Sequence, residues 1–255
     1  MALLELRGVT KYFGGLAAVS DFDMDVEKGE IRALIGPNGA GKTTMYNLIT
    51  GVYPVTAGKI IYDGEDITGL TPHEIAERGL VRTFQATNVL FADHTVLQGM
   101  MVARHLHAGM NFITKLVGTA GKIEAENKRK CLELIDFFGL TKFRDELAMN
   151  LPHGYQRALG VCLAVATEPK LLCLDEPVTG MNPVETEHFM GLIRKLREQG
   201  ITVLLIEHDM RAVMGISDQI TVLSFGKKIA EGTPKEISRN EQVIEAYLGA
   251  GEFTV

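Results

Sequence analysis

The sequence predicts an α/β fold that begins with an antiparallel β subdomain and carries an α-helical subdomain inserted in its middle. Short apolar runs typical of buried strands alternate with helical segments on both sides of the middle region. The first thirty residues alternate apolar and polar positions around a Gly-Gly pair, and between about residues 88 and 167 only helical periodicity remains. We therefore predict a core of residues 1–87 and 168–255, a helical subdomain of residues 88–167, and a loose tail at 250–255.

The segments before the insertion carry local strand and helix signals. LLELRGVTKYF and AAVSDFDMDVEKGE predict two short antiparallel strands, and IRALI predicts a short apolar strand that ends in a glycine-rich turn. TTMYNLITG predicts a helix ending at Gly51, and GKIIYDGEDI predicts a strand pair that turns at Asp-Gly. TPHEIAERG predicts a helix because Thr71, Pro72 and Glu74 form a capping-box pattern, and LVRTFQ predicts a further strand.

The inserted segment has the spacing of helices, and the segments after it alternate between strand and helix patterns. VLQGMMVARHLHAGMNFITKLV and IEAENKRKCLELIDFFGL have helical spacing, with Leu132, Ile135 and Phe138 on one face. ITVLLIEHD predicts a strand buried on both faces of a parallel sheet, and the four apolar residues of LLCLD predict a central strand. ETEHFMGLIRKLREQG predicts a helix that stops at Gly200, RAVMGISD predicts a short helix, and QITVLSFGKKIAEG predicts two strands joined by a turn.

Composition and charge argue against several classes of protein. The net charge of −6 disfavours a nucleic-acid binder, which usually presents a basic face. The three cysteines are odd in number and form no CxxC pair, so we expect neither a disulfide framework nor a zinc site. No signal peptide and no apolar run of about 18 residues is visible, so we expect a soluble protein.

A phosphate-binding loop is the strongest functional signal. Gly36–Thr43 (GPNGAGKT) fits GxxxxGK[ST] between a predicted strand and a predicted helix, which is the context that this loop requires. Its backbone N–H groups would point at phosphate oxygens, and the helix N-terminus adds partial positive charge. Lys42 would reach the β- and γ-phosphates, and the Thr43 hydroxyl would bind Mg²⁺. We therefore predict binding of a nucleoside triphosphate.

The strand LLCLD ends in two acidic residues followed by a proline. Asp175 is placed to bind Mg²⁺, usually through water, and Glu176 beside it is placed to polarise an attacking water. An acidic strand end without catalytic function is the alternative for either residue alone. It does not explain a pair that accompanies a phosphate-binding loop.

The loop, the LDEP strand end and the helical segment between them resemble the ATP-binding cassette (ABC) ATPases over essentially the whole chain. The resemblance implies a P-loop NTPase (ABC ATPase) core with an antiparallel β subdomain and an inserted helical subdomain. It implies ATP hydrolysis with Mg²⁺. Gln85 in TFQ matches the family's Q-loop residue, and His208 in IEHD matches its switch histidine. Phe13 in KYFG matches the aromatic residue that stacks on adenine, with Tyr12 as its rival.

The resemblance thus assigns three sets of residues. The catalytic set is Glu176, His208, Gln85 and Lys42. The metal set is Thr43, Gln85 and Asp175. The nucleotide-binding set is Phe13, Ala18, Asn38, Gly39, Ala40, Gly41, Lys42, Thr43 and Thr44. Residues 179–182 (TGMN) stand where the family has its D-loop.

The stretch NLPHGYQR stands where the family has LSGGQ, the signature that completes the ATP site of a second cassette. The resemblance assigns this role to Leu151, His153, Gly154 and Tyr155. Pro152 replaces the serine and can donate from neither side chain nor backbone. Losing one charge-assisted hydrogen bond costs about 1.5–3 kcal/mol, so we expect a weakened but working sensor. Gly154 keeps its N–H near a helix N-terminus, and His153 either donates to phosphate or faces solvent.

The stretch LPHGY resembles a variant of the LPYG-type signature. That signature type is similar to the one in the LivG-like branch, the ATP-binding subunits of branched-chain amino-acid transporters. KYFGG, VRTFQ, IEHDM and the terminal EGTP support the same branch. The resemblance implies a peripheral protein at the cytoplasmic face of the inner membrane. Its partners would be a second cassette, identical or different, membrane-spanning permease subunits contacted near residues 86–96, and indirectly a periplasmic substrate-binding protein.

Three alternatives remain open at this stage. Importers of urea, amides or other amino acids share the same branch. A non-hydrolysing regulatory switch would fit the altered signature, although Lys42, Asp175, Glu176 and His208 argue against it. A soluble ABC ATPase that acts on nucleic acid is disfavoured by the acidic net charge and by the single cassette.

Overall fold

A computed structural model describes residues 2–83, 92–105 and 120–248. Its strands in chain order are β1 (Ala2–Phe13), β2 (Leu16–Glu27), β3 (Ile31–Ile35), β4 (Ala57–Tyr62), β5 (Glu65–Asp66), β6 (Leu80–Arg82), β7 (Leu171–Asp175), β8 (Thr202–Ile206), β9 (Gln219–Ser224) and β10 (Lys227–Gly232). Its helices are α1 (Lys42–Ile49), α2 (Pro72–Glu77), α3 (Val96–His105), α4 (Ala120–Phe137), α5 (His153–Ala166), α6 (Pro183–Glu198), α7 (Met210–Ile216), α8 (Pro234–Ile237) and α9 (Glu241–Leu248).

The chain divides into two compact units. The core unit comprises residues 1–82, 170–176 and 186–255, and the helical unit comprises residues 83–169 and 177–185. The predicted α/β class with an antiparallel β part and a helical part is confirmed. The domain boundaries drawn from the sequence stay a prediction.

The core unit contains two sheets. One is antiparallel with the strand order β2-β1-β4-β5, and the other has the order β10-β9-β3-β8-β7-β6. The prediction of short strands at the chain start was wrong, since β1 and β2 have 12 residues each. Register shifts let their pairing continue past Gly8, which adopts φ 58°.

Parallel pairing dominates the second sheet. β3 pairs in parallel with both β8 and β9, β8 pairs with β7, and β7 pairs with β6. Every residue of β3, β7 and β8 is buried, and for β8 the continuous apolar run predicted this burial. All three strands therefore end at the same edge of the sheet.

Helix α1 is fixed to the sheet by a buried tyrosine. The Tyr46 hydroxyl donates to the carbonyl of Leu174 at 3.0 Å and also contacts the carbonyl oxygen of Leu204. Burial raises the pKa of Tyr46 well above its usual value, because the phenolate would lose its hydration. The phenol thus stays a neutral donor that ties α1 to β7 and β8.

The helical unit is organised around a buried arginine. Helix α3 packs against α4 and α5, and α4 also packs against α5. Arg104 of α3 donates to the Asn127 side chain at 3.2 Å, the Ala166 carbonyl at 3.2 Å and the Glu168 carboxylate at 3.1 Å. Ile135 and Phe138 are buried as predicted, while Leu132 is half-buried.

Helices α8 and α9 were missed by the sequence analysis. The signal for α8 is the same as for α2, where the predicted Thr71 capping box is present. Thr233 accepts from the Glu236 backbone N–H, the Glu236 carboxylate accepts from Thr233, and Pro234 follows the cap. The predicted tail at 250–255 lies outside the described residues.

Two of the composition-based expectations concern the cysteines and membrane-spanning segments. All three cysteines are buried thiols, not disulfides. Within the described ranges, none of the helices combines the length and apolar character needed to cross a membrane.

Replacing Tyr46 by Phe should destabilise the core unit by about 1–3 kcal/mol, because two buried carbonyls lose their shared donor. Urea unfolding followed by circular dichroism measures this change. The control is Tyr53→Phe, which removes a hydroxyl from an exposed ring. Equal free energies of unfolding for Tyr46→Phe and the parent protein would contradict the proposed anchoring role of Tyr46.

Candidate functional site

The phosphate-binding loop leaves the carboxyl end of β3 and ends at the start of α1. Close packing requires glycine at two of its positions. A Cβ on Gly36 would lie 2.0 Å from the Leu223 carbonyl oxygen, and one on Gly41 would lie 2.7 Å from the Ala18 carbonyl oxygen. Gly41 also adopts φ 108°, a conformation that L side chains rarely take. The loop is therefore held between the hairpin of β1 and β2 and the turn after β9.

Lys42 is the first residue of α1 and is buried. Its Nζ donates to the carbonyl oxygens of Gly36 at 2.6 Å and Pro37 at 3.1 Å. The first turn of α1 contains no acidic residue. The loop thus combines an ammonium group with the positive end of a helix, which is an arrangement suited to anionic oxygens.

A cleft of about 520 Å³ opens over this loop. All nine residues predicted to bind nucleotide line it: Phe13, Ala18, Asn38, Gly39, Ala40, Gly41, Lys42, Thr43 and Thr44. Glu176 lines it as well. The structure therefore brings the aromatic, phosphate-binding and acidic candidates together in one place. Their individual roles stay predictions.

An aromatic group forms one wall of the cleft. Phe13 packs edge-on against Tyr53 at a centroid distance of 5.4 Å, and Lys11 Nζ lies 5.1 Å from the Phe13 ring centre. Phe13 and Tyr12 are similarly exposed, at 43% and 48%, but of the two it is Phe13 that lines the cleft. This placement favours Phe13 over its rival. The position of Lys11 could not be predicted from the sequence, because cation–π partners in a hairpin have no local signal.

Asp175 and Glu176 lie at the end of β7 with different surroundings. Asp175 is buried, and its Oδ2 accepts from Arg82 Nη2 at 2.6 Å. Glu176 is partly exposed and adopts a left-handed φ of 47°, and its N–H donates to the Ile206 carbonyl at 2.9 Å. The left-handed turn directs Glu176 into the cleft, while Asp175 stays packed at the sheet edge.

His208 follows β8, the strand next to β7. Its Nδ1 lies 3.8 Å from Glu176 Oε1 and 3.9 Å from Glu207 Oε2. The pairing of Asp175 with Ile206 explains the proximity, since both strands continue past matched positions. The predicted base and the predicted switch histidine are therefore neighbours.

Three residues at this edge were not predicted from the sequence. Arg82 ends β6 with a side chain that is 10% exposed, and the buried Glu207 directly follows β8. A charged group with so little access to water indicates a partner. Phe225 lines the cleft from the turn between β9 and β10, is 90% exposed, and adopts φ 45°. Gln85 lies outside the described residues.

The signature stretch begins helix α5, with Pro152 at the N-cap and no side-chain cap. Pro152 and His153 are exposed and Gly154 is half-buried at the first turn, which contains no acidic residue. Leu151 is buried, and Tyr155 packs on Phe143 at 4.7 Å between ring centres. The four predicted signature residues thus divide into two at the helix N-terminus and two in packing contacts.

Residues 179–182 cap the next helix. The Asn182 side chain accepts from the N–H groups of Val184 and Glu185 at 3.0 Å each, and the Glu185 carboxylate accepts from the Asn182 N–H at 2.9 Å. This reciprocal pattern fixes the start of α6.

Comparisons with known proteins agree with this geometry. Residues 19–179 match the family model described as ABC transporter, and residues 227–252 match the one described as branched-chain amino acid ATP-binding cassette transporter. The chain is 45% identical over 250 residues to the high-affinity branched-chain amino acid transport ATP-binding protein BraF of Pseudomonas aeruginosa, covering 97% of this chain and 98% of BraF. It is 41% identical over 250 residues to the protein of the same description, LivG, of Escherichia coli K12, with the same coverage.

A solved structure shares the fold over nearly the whole chain. It is the ADP conformation of an ATP-binding cassette of an ABC transporter. The TM-score is 0.84 at 30% sequence identity, and the alignment covers 98% of this chain and 99% of the other. The predicted P-loop core of the ABC ATPase type is thereby confirmed.

Replacing Phe13 by Ala should weaken ATP binding roughly five- to hundredfold, because stacking of a base on an aromatic ring contributes about 1–3 kcal/mol. Isothermal titration with ATP measures the dissociation constant. Tyr12→Ala is the matched control, and it should leave the constant close to that of the parent. If Tyr12→Ala weakens ATP binding and Phe13→Ala does not, Tyr12 and not Phe13 stacks on adenine.

Proposed function

This chain belongs to the ABC transporter family, and we propose that it is the ATP-hydrolysing subunit of an importer for branched-chain amino acids. The single observation that carries the proposal is the cleft that collects Phe13, the phosphate-binding loop and Glu176. The descriptions of BraF, LivG and the C-terminal family model supply the substrate class.

Different parts of the cleft would bind the adenine ring and the phosphates of ATP. Phe13 and Ala18 offer an apolar surface to the adenine ring. The phosphates would lie against the backbone N–H groups of residues 38–44 and the N-terminus of α1. Lys42, held over the loop by its contacts with Gly36 and Pro37, would move its ammonium group onto the β- and γ-phosphate oxygens.

The residues present fit a magnesium ion that is bound together with the nucleotide. Thr43 provides a hydroxyl at the start of α1, and Asp175 provides a carboxylate at the end of β7. In the described part of the chain no cluster of three or more His, Cys, Asp or Glu could hold a metal by itself. That pattern suits Mg²⁺, which takes few protein ligands beside substrate phosphates. When bound by these residues, the ion would supply positive charge that offsets the negative charge of the phosphates.

Glu176 would act as the general base toward the attacking water. Glu176 is partly exposed, lines the cleft and has a left-handed backbone conformation. Such sparsely populated backbone conformations cluster at functional sites, and a carboxylate there can accept a proton from water. His208 lies 3.8 Å from its carboxylate and would hold the water and the γ-phosphate in line. Glu176 would take the proton from the water, while His208 would keep that water oriented toward the γ-phosphate.

The signature stretch would contact the ATP of a second cassette through fewer residues than the family pattern implies. His153 and Gly154 are placed at the positive end of α5 and would face the γ-phosphate. Leu151 and Tyr155 are engaged in packing and would instead hold the turn in position. Pro152 contributes no donor but pre-sets the extended conformation before the helix.

The assembly would contain a second cassette, membrane-spanning permease subunits and, indirectly, a periplasmic substrate-binding protein. The chain would lie at the cytoplasmic face of the inner membrane as a peripheral subunit. Of the segment proposed for the permease contact, residues 92–96 are described. Thr95 there forms a β-bridge with Leu147, which fixes the segment within the helical unit.

Replacing Glu176 by Gln should lower ATP turnover of the reconstituted transporter at least about a hundredfold, because the general base is lost while the shape of the site is kept. ATP binding should persist. Released phosphate and uptake of labelled leucine, isoleucine and valine into proteoliposomes measure the two activities.

The matched control is Glu198→Gln, an exposed glutamate at the end of α6, which should leave both activities unchanged. Undetectable turnover of the parent complex with all partners present would favour a non-hydrolysing switch. If the complex takes up urea or an amide in place of the three amino acids, the proposed ATPase activity stands and the proposed substrate class is wrong.

A further inference from the structure

Arg82 lies between the two halves of the candidate site. It ends β6, which pairs in parallel with β7 in a register that places Arg82 opposite Cys173. Its guanidinium Nη2 donates to Asp175 Oδ2 at 2.6 Å, and its Nη1 donates to Asn47 Oδ1 at 2.6 Å. Asn47 belongs to α1, the helix that begins with Lys42. One side chain therefore bonds both the acidic strand end and the phosphate-loop helix.

The surroundings of this guanidinium restrict its orientation. Its side chain is 10% exposed and that of Asp175 is 8% exposed. The guanidinium carbon lies 5.4 Å from the Tyr46 ring centre, and Tyr46 is itself bonded to the carbonyls of β7 and β8. A planar fork that rests on a fixed ring and donates in two directions holds its acceptors in a defined geometry.

We propose that Arg82 is a positioning residue that fixes the Asp175 carboxylate for Mg²⁺ and ties its position to helix α1. This inference rests on the proposed function, in which Asp175 serves the metal. Because Arg82 donates to Oδ2, it would set the orientation in which the Asp175 carboxylate serves the metal, although Arg82 is not itself a metal ligand. Residues that hold a metal-binding carboxylate in this way commonly change metal affinity 10- to 100-fold when they are replaced.

Two substitutions separate charge from geometry. Arg82→Lys keeps the positive charge but loses the fork, and Arg82→Gln loses the charge but keeps one donor group. The probe is a fluorescent ATP analogue, titrated first in EDTA and then at fixed concentration with rising Mg²⁺. Both variants should bind the analogue in EDTA as the parent does. Both should need roughly tenfold or more Mg²⁺ for half-maximal change, a readout that is independent of hydrolysis.

Arg32→Lys and Arg32→Gln are the matched controls. Arg32 is also a buried arginine of the same sheet, with 6% side-chain exposure and ion pairs to Glu30 and Glu231. It lies at the opposite end of β3 from the phosphate-binding loop. These controls should lower the unfolding temperature about as much as the Arg82 variants while leaving the Mg²⁺ half-saturation of the parent.

A third variant keeps the inference testable if the Arg82 variants do not fold. Asn47→Ala removes the acceptor of one Arg82 hydrogen bond and leaves the ion pair with Asp175. It should therefore also raise the Mg²⁺ concentration at half-saturation, by a smaller factor. An unchanged Mg²⁺ response in folded Arg82 variants, or in Asn47→Ala when those fail, would reduce Arg82 to a structural ion pair. A tighter Mg²⁺ response would mean that Arg82 competes with the metal, which also overturns the positioning role.

The parent titration distinguishes this inference from the proposed function. If the parent binds the analogue but the variants behave as it does, only the role of Arg82 fails. If the parent binds no analogue with or without Mg²⁺, the proposed function itself fails, and the inference fails with it.

Discussion

Parallel pairing of β7, β8 and β3 is the constraint on which the site depends. Ile206 of β8 is paired with Leu34 of β3 on one side and with Asp175 of β7 on the other. The residues that follow these three matched positions are the phosphate-binding loop, Glu176 and His208. A shift of either pairing by one residue would turn the side chains of one strand to the other face and separate these groups. The candidate chemistry is therefore a consequence of backbone register in the core unit.

Polar groups inside this apolar sheet are tolerated because each has partners. Lys42 is satisfied by two loop carbonyls, and Tyr46 by two strand carbonyls. The two Nη groups of Arg82 donate to Asn47 and Asp175. Taking charges out of water is costly, and a buried ion pair often adds little net stability compared with apolar packing. The retention of such a pair beside the candidate metal site is better explained by the geometry that it fixes.

Elements with strong local signals could be predicted from the sequence. The buried strands, the phosphate-binding loop and the Thr71 capping box each depend on neighbouring residues, and they were found. The length of β1 and β2 could not be predicted, because it depends on bulges that only the partner strand makes favourable. Helix α8 was missed although Thr233, Pro234 and Glu236 carry a readable signal.

The motif residues of the candidate site could be predicted because they too carry local signals. The prediction was incomplete because other residues of the site depend on contacts between distant parts of the chain. Motif residues such as Lys42 and Asp175 are recognised by spacing along the chain. Arg82 acts through contacts with residues 35 and 93 positions away, which no local pattern encodes. The packing of Tyr155 on Phe143 likewise depends on a turn outside the signature, so its separation from His153 and Gly154 became visible only in the structure.

A crystal structure of Glu176→Gln with ATP and Mg²⁺ tests most directly whether this cleft is an ATP site. We predict adenine against Phe13, phosphates against the backbone of residues 38–44, and the metal between Thr43 and Asp175. We also predict that the γ-phosphate lies closest to residues 176 and 208. Nucleotide bound away from the loop, or phosphates directed away from the ends of β7 and β8, would contradict the proposed ATP site.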